Sequence, residues 1–400
     1  MLRFGRGIRP EDVQVTTANN GADFVFSIGN GSDTVRVING ASASEDYWID
    51  EIRFDDGTIW TRSSLTGAVV PYTNGDDRIY GTNDAETLRA GAGNDWINGR
   101  GGNDTIIGGT GNDTLGGGSG NDTYIFNRGD GQDTILDGID YWDGGNGGND
   151  TIVLGAGILA SDVTVSQQAN GRDLKLDLGQ GDSIYIGNSP LTDGGNVIEQ
   201  VKFADGTVWT AADLFARSII PTDGNDALYG DDNSQTLDGG AGNDRIIARG
   251  GNDVIIGGLG NDNLSGDGGD DTYIYARGDG ADYIQEWSRT SSYGGNDTLR
   301  FGAGINPGDV IVTQTNNGRD FMLTIANGGG SVGIYEAITD ENSRVETVAF
   351  ADGTTWNFAT LMAKSMTGTS GNDALYGDDN SQTLDGGAGN DRIIDRKSVV

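Results

Sequence analysis

The sequence predicts an all-β chain in which stacked parallel coils alternate with small antiparallel units in a tandem array. Three observations predict it. A nine-residue period runs through parts of the chain, a longer period of 149 and then 147 residues encloses it, and 70 of the 400 residues are glycine. Glycine at that level is more than twice the usual share of about 7 %. It has no three-residue period and only five prolines accompany it, which excludes a collagen-like helix.

The short period is the more informative. Asp77, Glu86, Asp95, Asp104, Asp113 and Asp122 follow one another at steps of nine, and two positions after each stands Ile79, Leu88, Ile97, Ile106, Leu115 or Tyr124. A second block repeats the phase with Asp226, Gln235, Asp244, Asp253, Asp262 and Asp271, and a third begins with Asp373, Gln382 and Asp391. In GGTGNDTL at 108–115 the glycines make a tight turn, since they alone take positive φ freely. The three residues around the apolar position then form a short strand with one side chain pointing inward. Two such repeats make an 18-residue coil of turn, strand, turn, strand.

The long period places a different sequence between the blocks. Trp60, Trp209 and Trp356 close related segments, and the stretch at 224–247 recurs at 371–394. The predicted domains are a partial β spacer at 1–70, a roll at 71–135, a spacer at 136–220, a roll at 221–285, a spacer at 286–366 and a truncated roll at 367–400. Within the second spacer, strands are expected at Asp162 to Ser166, Asp173 to Leu178 and Ser183 to Gly187. A hairpin is expected at Asp205-Gly206, and a short helix capped by Thr210 after it. The three tryptophans read as core. The joins carry Tyr141, Trp142, Tyr283, Trp287 and Tyr293, read as covers over the ends of the rolls. Both ends of the chain read as cut, so a fragment of a longer protein is expected.

Charge and composition narrow the chemistry. A formal net charge of -35 opposes compaction and argues against nucleic acid or an anionic membrane surface as a partner. With no cysteine and no histidine, zinc, copper and haem sites lose their usual ligands, and histidine-based catalysis is excluded. No apolar run reaches the roughly 20 residues of a membrane-spanning helix. The first residues hold no apolar core of a signal peptide. No carboxylate stands out from the repeat as a catalytic candidate, so no enzyme is expected in these residues, though a catalytic domain outside them is allowed.

Aligned turns instead suit a hard cation. Turns on one side lie 18 residues apart, and a cation between two of them receives carbonyl oxygens and an Asp from each. Calcium takes six to eight oxygens at about 2.3–2.6 Å, whereas magnesium demands a tighter octahedron. The candidate ligands in the first roll are Asp77, Gly91, Gly93, Asp95, Gly102, Asp104, Gly109, Gly111, Asp113, Gly118, Gly120 and Asp122. In the second they are Asp226, Gly240, Gly242, Asp244, Gly251, Asp253, Gly258, Gly260, Asp262, Gly269 and Asp271, and in the third Asp373, Gly387, Gly389 and Asp391. The pairs are Asp77 with Asp95, Asp95 with Asp113, Asp104 with Asp122, Asp226 with Asp244, Asp244 with Asp262, and Asp253 with Asp271. Asp373 with Asp391 is a seventh, so six or seven calcium ions are expected. Glu86, Gln235 and Gln382 interrupt the pattern and predict weak or absent sites.

On these motifs, blocks 72–135 and 221–284 resemble RTX, or haemolysin-type, calcium-binding repeats. Segments 1–66, 150–215 and 297–362 resemble the haemolysin-type calcium-binding-related domain found beside them. The resemblance implies calcium-bound parallel β-rolls. It implies export from a Gram-negative bacterium through type I secretion machinery, with folding on extracellular calcium. It also implies a secreted structural region of a larger exoprotein, free or held at the cell surface. The terminal RKSVV does not resemble a secretion signal. The aromatic residues at the joins support a second reading, a calcium-dependent adhesin or glycan-binding array on a cell surface, in which tandem units give avidity.

Overall fold

The computed structural model describes residues 1–18, 23–29, 32–38, 49, 51–61, 74–137, 148–168, 171–187, 198–286, 295–377 and 383–394. Two units divide the chain, Met1–Ser218 and Ile219–Val400.

In the first unit the nine-residue repeats form two stacks of short parallel strands. Ile79 pairs in register with Ile97, Ile97 with Leu115, Leu115 with Ile135 and Ile135 with Ile186. On the other side Leu88 pairs with Ile106, Ile106 with Tyr124, Tyr124 with Ile152 and Ile152 with Val201. Each apolar residue therefore stacks on its counterpart in the next coil, and the two rows face one core in which Ile106, Leu115 and Tyr124 have no exposed surface. The second unit repeats the arrangement. Leu228, Ile246, Leu264, Ile284 and Ile334 form one row, and Leu237, Ile255, Tyr273, Leu299 and Val348 the other.

The rows do not stop where the repeats stop. Asp150–Leu154, Asp182–Ile186 and Ile198–Lys202 continue the two parallel sheets of the first roll. Antiparallel pairing begins only beyond them. Asp182–Ile186 pairs with Asp173–Gly179, and that strand with Thr164–Gln168, while Ile198–Lys202 pairs with Val208–Thr210. The second and third spacer strands, the hairpin and the helix Ala211–Ser218 lie within about a residue of where the pattern placed them, while the first strand is Thr164–Gln168 rather than Asp162 to Ser166. Thr210 caps that helix, its Oγ1 accepting from the Asp213 N–H at 3.2 Å while Asp213 Oδ2 accepts from the Thr210 N–H at 2.8 Å.

Residues 1–61 repeat the spacer pattern. Leu2 pairs in parallel with Ile52 as Leu299 does with Val348, and an antiparallel strand follows in each case. Phe4, Phe24, Phe26, Ile52 and Phe54 form its core. Trp209 and Trp356 are buried at 3 % and 5 % exposure, which makes them core residues. Trp60 is half-buried with its ring 4.6 Å from that of Phe54. Of the aromatic residues at the joins, Tyr141, Trp142, Trp287 and Tyr293 lie outside the described residues. Tyr283 lies within the strand Ala281–Ile284, and its hydroxyl donates to Asp320 Oδ2 at 3.2 Å. In the third block, Ala374–Tyr376 pairs in parallel with Arg392–Ile394.

Candidate metal centre

The site begins with a turn that needs glycine. The second and fourth positions of the turns hold positive φ: 102° at Gly109 and 140° at Gly111, 91° at Gly258 and 145° at Gly260. All the candidate glycines share this backbone: Gly91, Gly93, Gly102, Gly118, Gly120, Gly240, Gly242, Gly251, Gly269, Gly387 and Gly389. Arg100, Arg249 and Asp267 hold a second position at positive φ without being glycine. That conformation costs an L-residue about 1–3 kcal/mol. The stacking leaves no room for a Cβ at many of these glycines; at Gly111 it would strike the Gly93 carbonyl oxygen.

This turn folds the sixth-position Asp back under its own coil, where it does two things. Oδ1 accepts a hydrogen bond from the backbone N–H of the acidic position one coil earlier. Asp95 accepts from Asp77 at 2.7 Å, Asp104 from Glu86 at 2.8 Å, Asp113 from Asp95 at 2.8 Å and Asp122 from Asp104 at 2.7 Å. The second unit matches, with Asp244 on Asp226, Asp253 on Gln235, Asp262 on Asp244 and Asp271 on Asp253 at 2.7–2.8 Å. In the third block Asp391 accepts from Asp373 at 3.0 Å. Oδ2 is left over. In Asp95, Asp104, Asp113, Asp122, Asp244, Asp253, Asp262 and Asp271 it is buried with no hydrogen-bond partner among the described residues.

A buried carboxylate oxygen without a donor is costly, and here the same vacancy of donors recurs at every interior turn. The oxygen also faces another oxygen. A Cβ built on Gly239 would lie 2.5 Å from Asp244 Oδ2 and 2.5 Å from the carbonyl of Gly257, the first glycine of the turn one coil on. Gly99 bears the same relation to Asp104 Oδ2 and the Gly117 carbonyl. These donors are hard oxygens converging on space that side chains leave open, and they fit calcium. Among the described residues no three carboxylates gather to hold a metal by themselves, and the main-chain oxygens of Gly117 and Gly257 beside these Oδ2 atoms are further donors the turns offer.

Electrostatics agree. Burial pushes Asp104 up to about 8, with the charges of Asp122 and Glu86 adding to the rise. Burial also lifts Asp113, Asp122 and Asp253 to about 6 and Asp271 to about 7. Stacked carboxylates without a counter-charge resist ionising together.

The outermost turns differ. Asp226 Oδ2 accepts from the Thr222 N–H at 2.8 Å and Asp373 Oδ2 from the Thr369 N–H at 2.7 Å, so these first turns satisfy themselves. Glu86 likewise accepts from the Thr82 N–H at 2.7 Å and the Thr82 hydroxyl at 2.9 Å. Gln235 is engaged with Asp231. Gln382 lies outside the described residues.

The ladder also runs past the repeats. Asp133 accepts from the Asp113 N–H at 2.9 Å, Asp150 from Asp122 at 2.7 Å, and Glu199 from Asp150 at 2.5 Å. Asp282, Asp297 and Glu346 do the same in the second unit. Sequence reasoning missed these residues because their steps are 20, 28 and 49 rather than 18. It also missed a second ladder of asparagines on the outside. The Asn94 side chain accepts from the Asn112 N–H at 2.9 Å, Asn103 from Asn121 at 2.9 Å and Asn243 from Asn261 at 2.8 Å. The recurrent Asn-Asp pair was the available signal.

Comparison with known proteins agrees with this geometry. The RTX calcium-binding nonapeptide repeat matches in overlapping copies at 73–106, 80–115, 89–124 and 99–135, again at 222–246, 238–273 and 247–284, and at 365–394. The haemolysin-type calcium binding protein related domain matches 23–64, 173–213 and 320–360. The chain thus carries RTX calcium-binding repeats alternating with haemolysin-type calcium binding protein related domains, and it is a structural repeat region that binds calcium. Among solved structures it is similar to the extracellular lipase LipA from Serratia marcescens, at 20 % identity and a TM-score of 0.23. That match covers 76 % of this chain and 46 % of the lipase chain, so the chain spans under half the length of that protein. RTX repeats are typical of secreted bacterial proteins. Among the described residues no helix is long and apolar enough to cross a membrane.

Proposed function

We propose that this chain is the calcium-dependent folding and spacer region of a bacterial exoprotein exported through type I secretion machinery. Its rolls at 71–135, 221–285 and 367–400 would stay unfolded where calcium is scarce and fold outside the cell. The spacers at 1–70, 136–220 and 286–366 would separate them. Calcium sits between successive turns on each side. The carboxylates of Asp95, Asp104, Asp113 and Asp122, and of Asp244, Asp253, Asp262 and Asp271, supply their free Oδ2 atoms. Main-chain oxygens of the glycine turns, the first residue of each turn included, supply the rest.

The observation that carries this reading is the repeated buried Oδ2 without a partner. Binding free energy then becomes folding free energy, and stability rises with calcium by mass action. Extracellular calcium modules bind at about 10⁻⁴–10⁻³ M, which leaves them empty at cytosolic calcium. Far-UV circular dichroism of chelator-treated protein, followed during calcium titration, is expected to gain β signal up to millimolar calcium. Full β signal in chelator, or no response at millimolar calcium, contradicts the proposal.

A further inference from the structure

One sheet of the second roll turns a flat face outward. Leu237, Ile255, Tyr273 and Leu299 are buried in the core, so their neighbours on Thr236–Asp238, Val254–Ile256, Thr272–Tyr275 and Thr298–Phe301 point the other way. These neighbours stand in two rows across the parallel strands. One row is Thr236, Val254, Thr272 and Thr298, and the other is Asp238, Ile256, Ile274 and Arg300. Val254, Ile256, Thr272 and Ile274 are half-buried, while Asp238 and Arg300 are exposed. Branched side chains of this kind suit a pleated surface packed on one side.

The charges at the two ends of the second row are opposite. Asp238 Oδ1 accepts from the Gly240 N–H at 3.1 Å. Neither Asp238 nor Arg300 joins an ion pair among the described residues. The first roll has the same face with different ends. Its second row runs Arg89, Ile107, Ile125, Val153 and Lys202, beside a row of threonines. Both charges there are positive, so two such faces repel.

We propose that the outer face of the second roll pairs with the same face of a second copy of this chain. A two-fold axis along the strands, between Val254–Ile256 and Thr272–Tyr275, keeps strand direction and reverses strand order. It sets Ile256 against Ile274 of the other copy, and Asp238 against the other copy's Arg300 at both ends. Each copy thus offers what the other needs, as an isologous contact requires. Sheets packed face to face lie about 10 Å apart with strands within about 30° of each other, a gap that branched side chains fill and an arginine spans. The overlap covers four short strands spaced about 4.8 Å apart. That is well below the roughly 800 Å² per partner of a standard interface, so the pairing is weak and acts where copies are concentrated. Bound cations favour it by lowering the self-repulsion of a chain with a net charge of -35.

Sedimentation equilibrium of the full chain in millimolar calcium, up to about 0.5 mM chain, tests the pairing. The wild type is expected to dimerise. Arg300→Asp and Asp238→Arg each set like charges against one another at both ends, and each should weaken association about tenfold or more. Asp238→Arg combined with Arg300→Asp exchanges the pair and should restore association. Arg89→Ser, in the first roll, should leave it unchanged. A wild type that stays monomeric overturns the proposal. So do single variants that associate as the wild type does, a double variant no better than the singles, or a dimer lost in Arg89→Ser. If a charge variant does not regain its far-UV signal in calcium, Ile256→Thr decides. It keeps a branched side chain on the strand and should weaken association about threefold, and unchanged association overturns the proposal.

Discussion

The rolls and the spacers are built from one chain but held together by different physics. Between turns 77 and 122 the core receives one inward apolar residue per nine, and the turns ending at Asp95, Asp104, Asp113 and Asp122 each bury a carboxylate oxygen with no partner among the described residues. The spacers bury clustered rings, with Phe301, Phe350 and Trp356 in contact at centroid distances of 5.3 and 4.6 Å. Three of their buried acids, away from the joins to the rolls, have partners. Asp23 receives Arg36 at 2.6 Å, Asp173 receives the Tyr185 hydroxyl, and Asp320 receives Tyr283 at 3.2 Å. The lesson is that a spacer core rests on packed rings and on acids partnered within the protein, with Asp137 and Asp150 at the join to the roll as exceptions, whereas the roll repeats an unpartnered carboxylate oxygen from turn to turn.

Substitutions that hit one region and spare the other sharpen this contrast. The largest effect is expected in a spacer. Trp356→Ala removes a buried ring system packed on Phe350, at a cost of about 3–5 kcal/mol. Chemical denaturation should give the same loss with and without calcium for the spacer transition. A loss seen only in calcium would blur the distinction.

Asp104→Ala comes next. It removes the acceptor for the Glu86 N–H and a free Oδ2 at once. A hydrogen bond to a charged group contributes about 1.5–3 kcal/mol, and the calcium midpoint should also move upward. Glu86→Ala should cost less and barely move the midpoint, because Glu86 is already satisfied by Thr82. Equal midpoints for the two variants would count against the ladder as the ion site.

The smallest effect is expected from acid. In metal-free protein Asp104 sits at about 8 and Asp113 and Asp122 at about 6, raised by burial first and by neighbouring carboxylates or their fields after it. An unfolded Asp titrates near 3.9, so between these values the folded roll binds more protons than the unfolded chain. That contribution is full below about pH 4 and is lost as pH rises through 6 to 8. Chelated protein should therefore show more β signal at pH 5.5 than at pH 8, while calcium-loaded protein should bind its ions less tightly at pH 5.5. The recovery stays partial because protons relieve repulsion but supply no ligand bonds. A metal-free roll that gains structure as pH rises would reverse the assigned sign.

Much of this contrast was legible in the residues. The phase from Asp77 to Asp122, with Ile79 to Tyr124 two positions on, placed the coils, their inward residues and the first ladder. The Asp205-Gly206 hairpin and the Thr210 cap were local signals and were equally readable. What stayed hidden depends on tertiary spacing. Asp133, Asp150 and Glu199 join the same ladder after insertions of unequal length, so no fixed period reveals them. The continuation of the parallel sheets into Asp150–Leu154 and Ile198–Lys202 was hidden for the same reason. Nor could the sequence separate Asp226 from Asp244, since Thr222 satisfies one and, among the described residues, none satisfies the Oδ2 of the other.

Hydrogen exchange read region by region, with and without calcium, tests the central claim most directly. In millimolar calcium, amides across 74–137 and 222–286 should be protected along with those of the spacers. In chelator, protection across the two rolls should fall to that of an unstructured chain, while the core strands Val13–Ala18 and Asp23–Ile28 keep theirs. Rolls that stay protected in chelator, or spacer strands that lose protection together with them, would contradict the account.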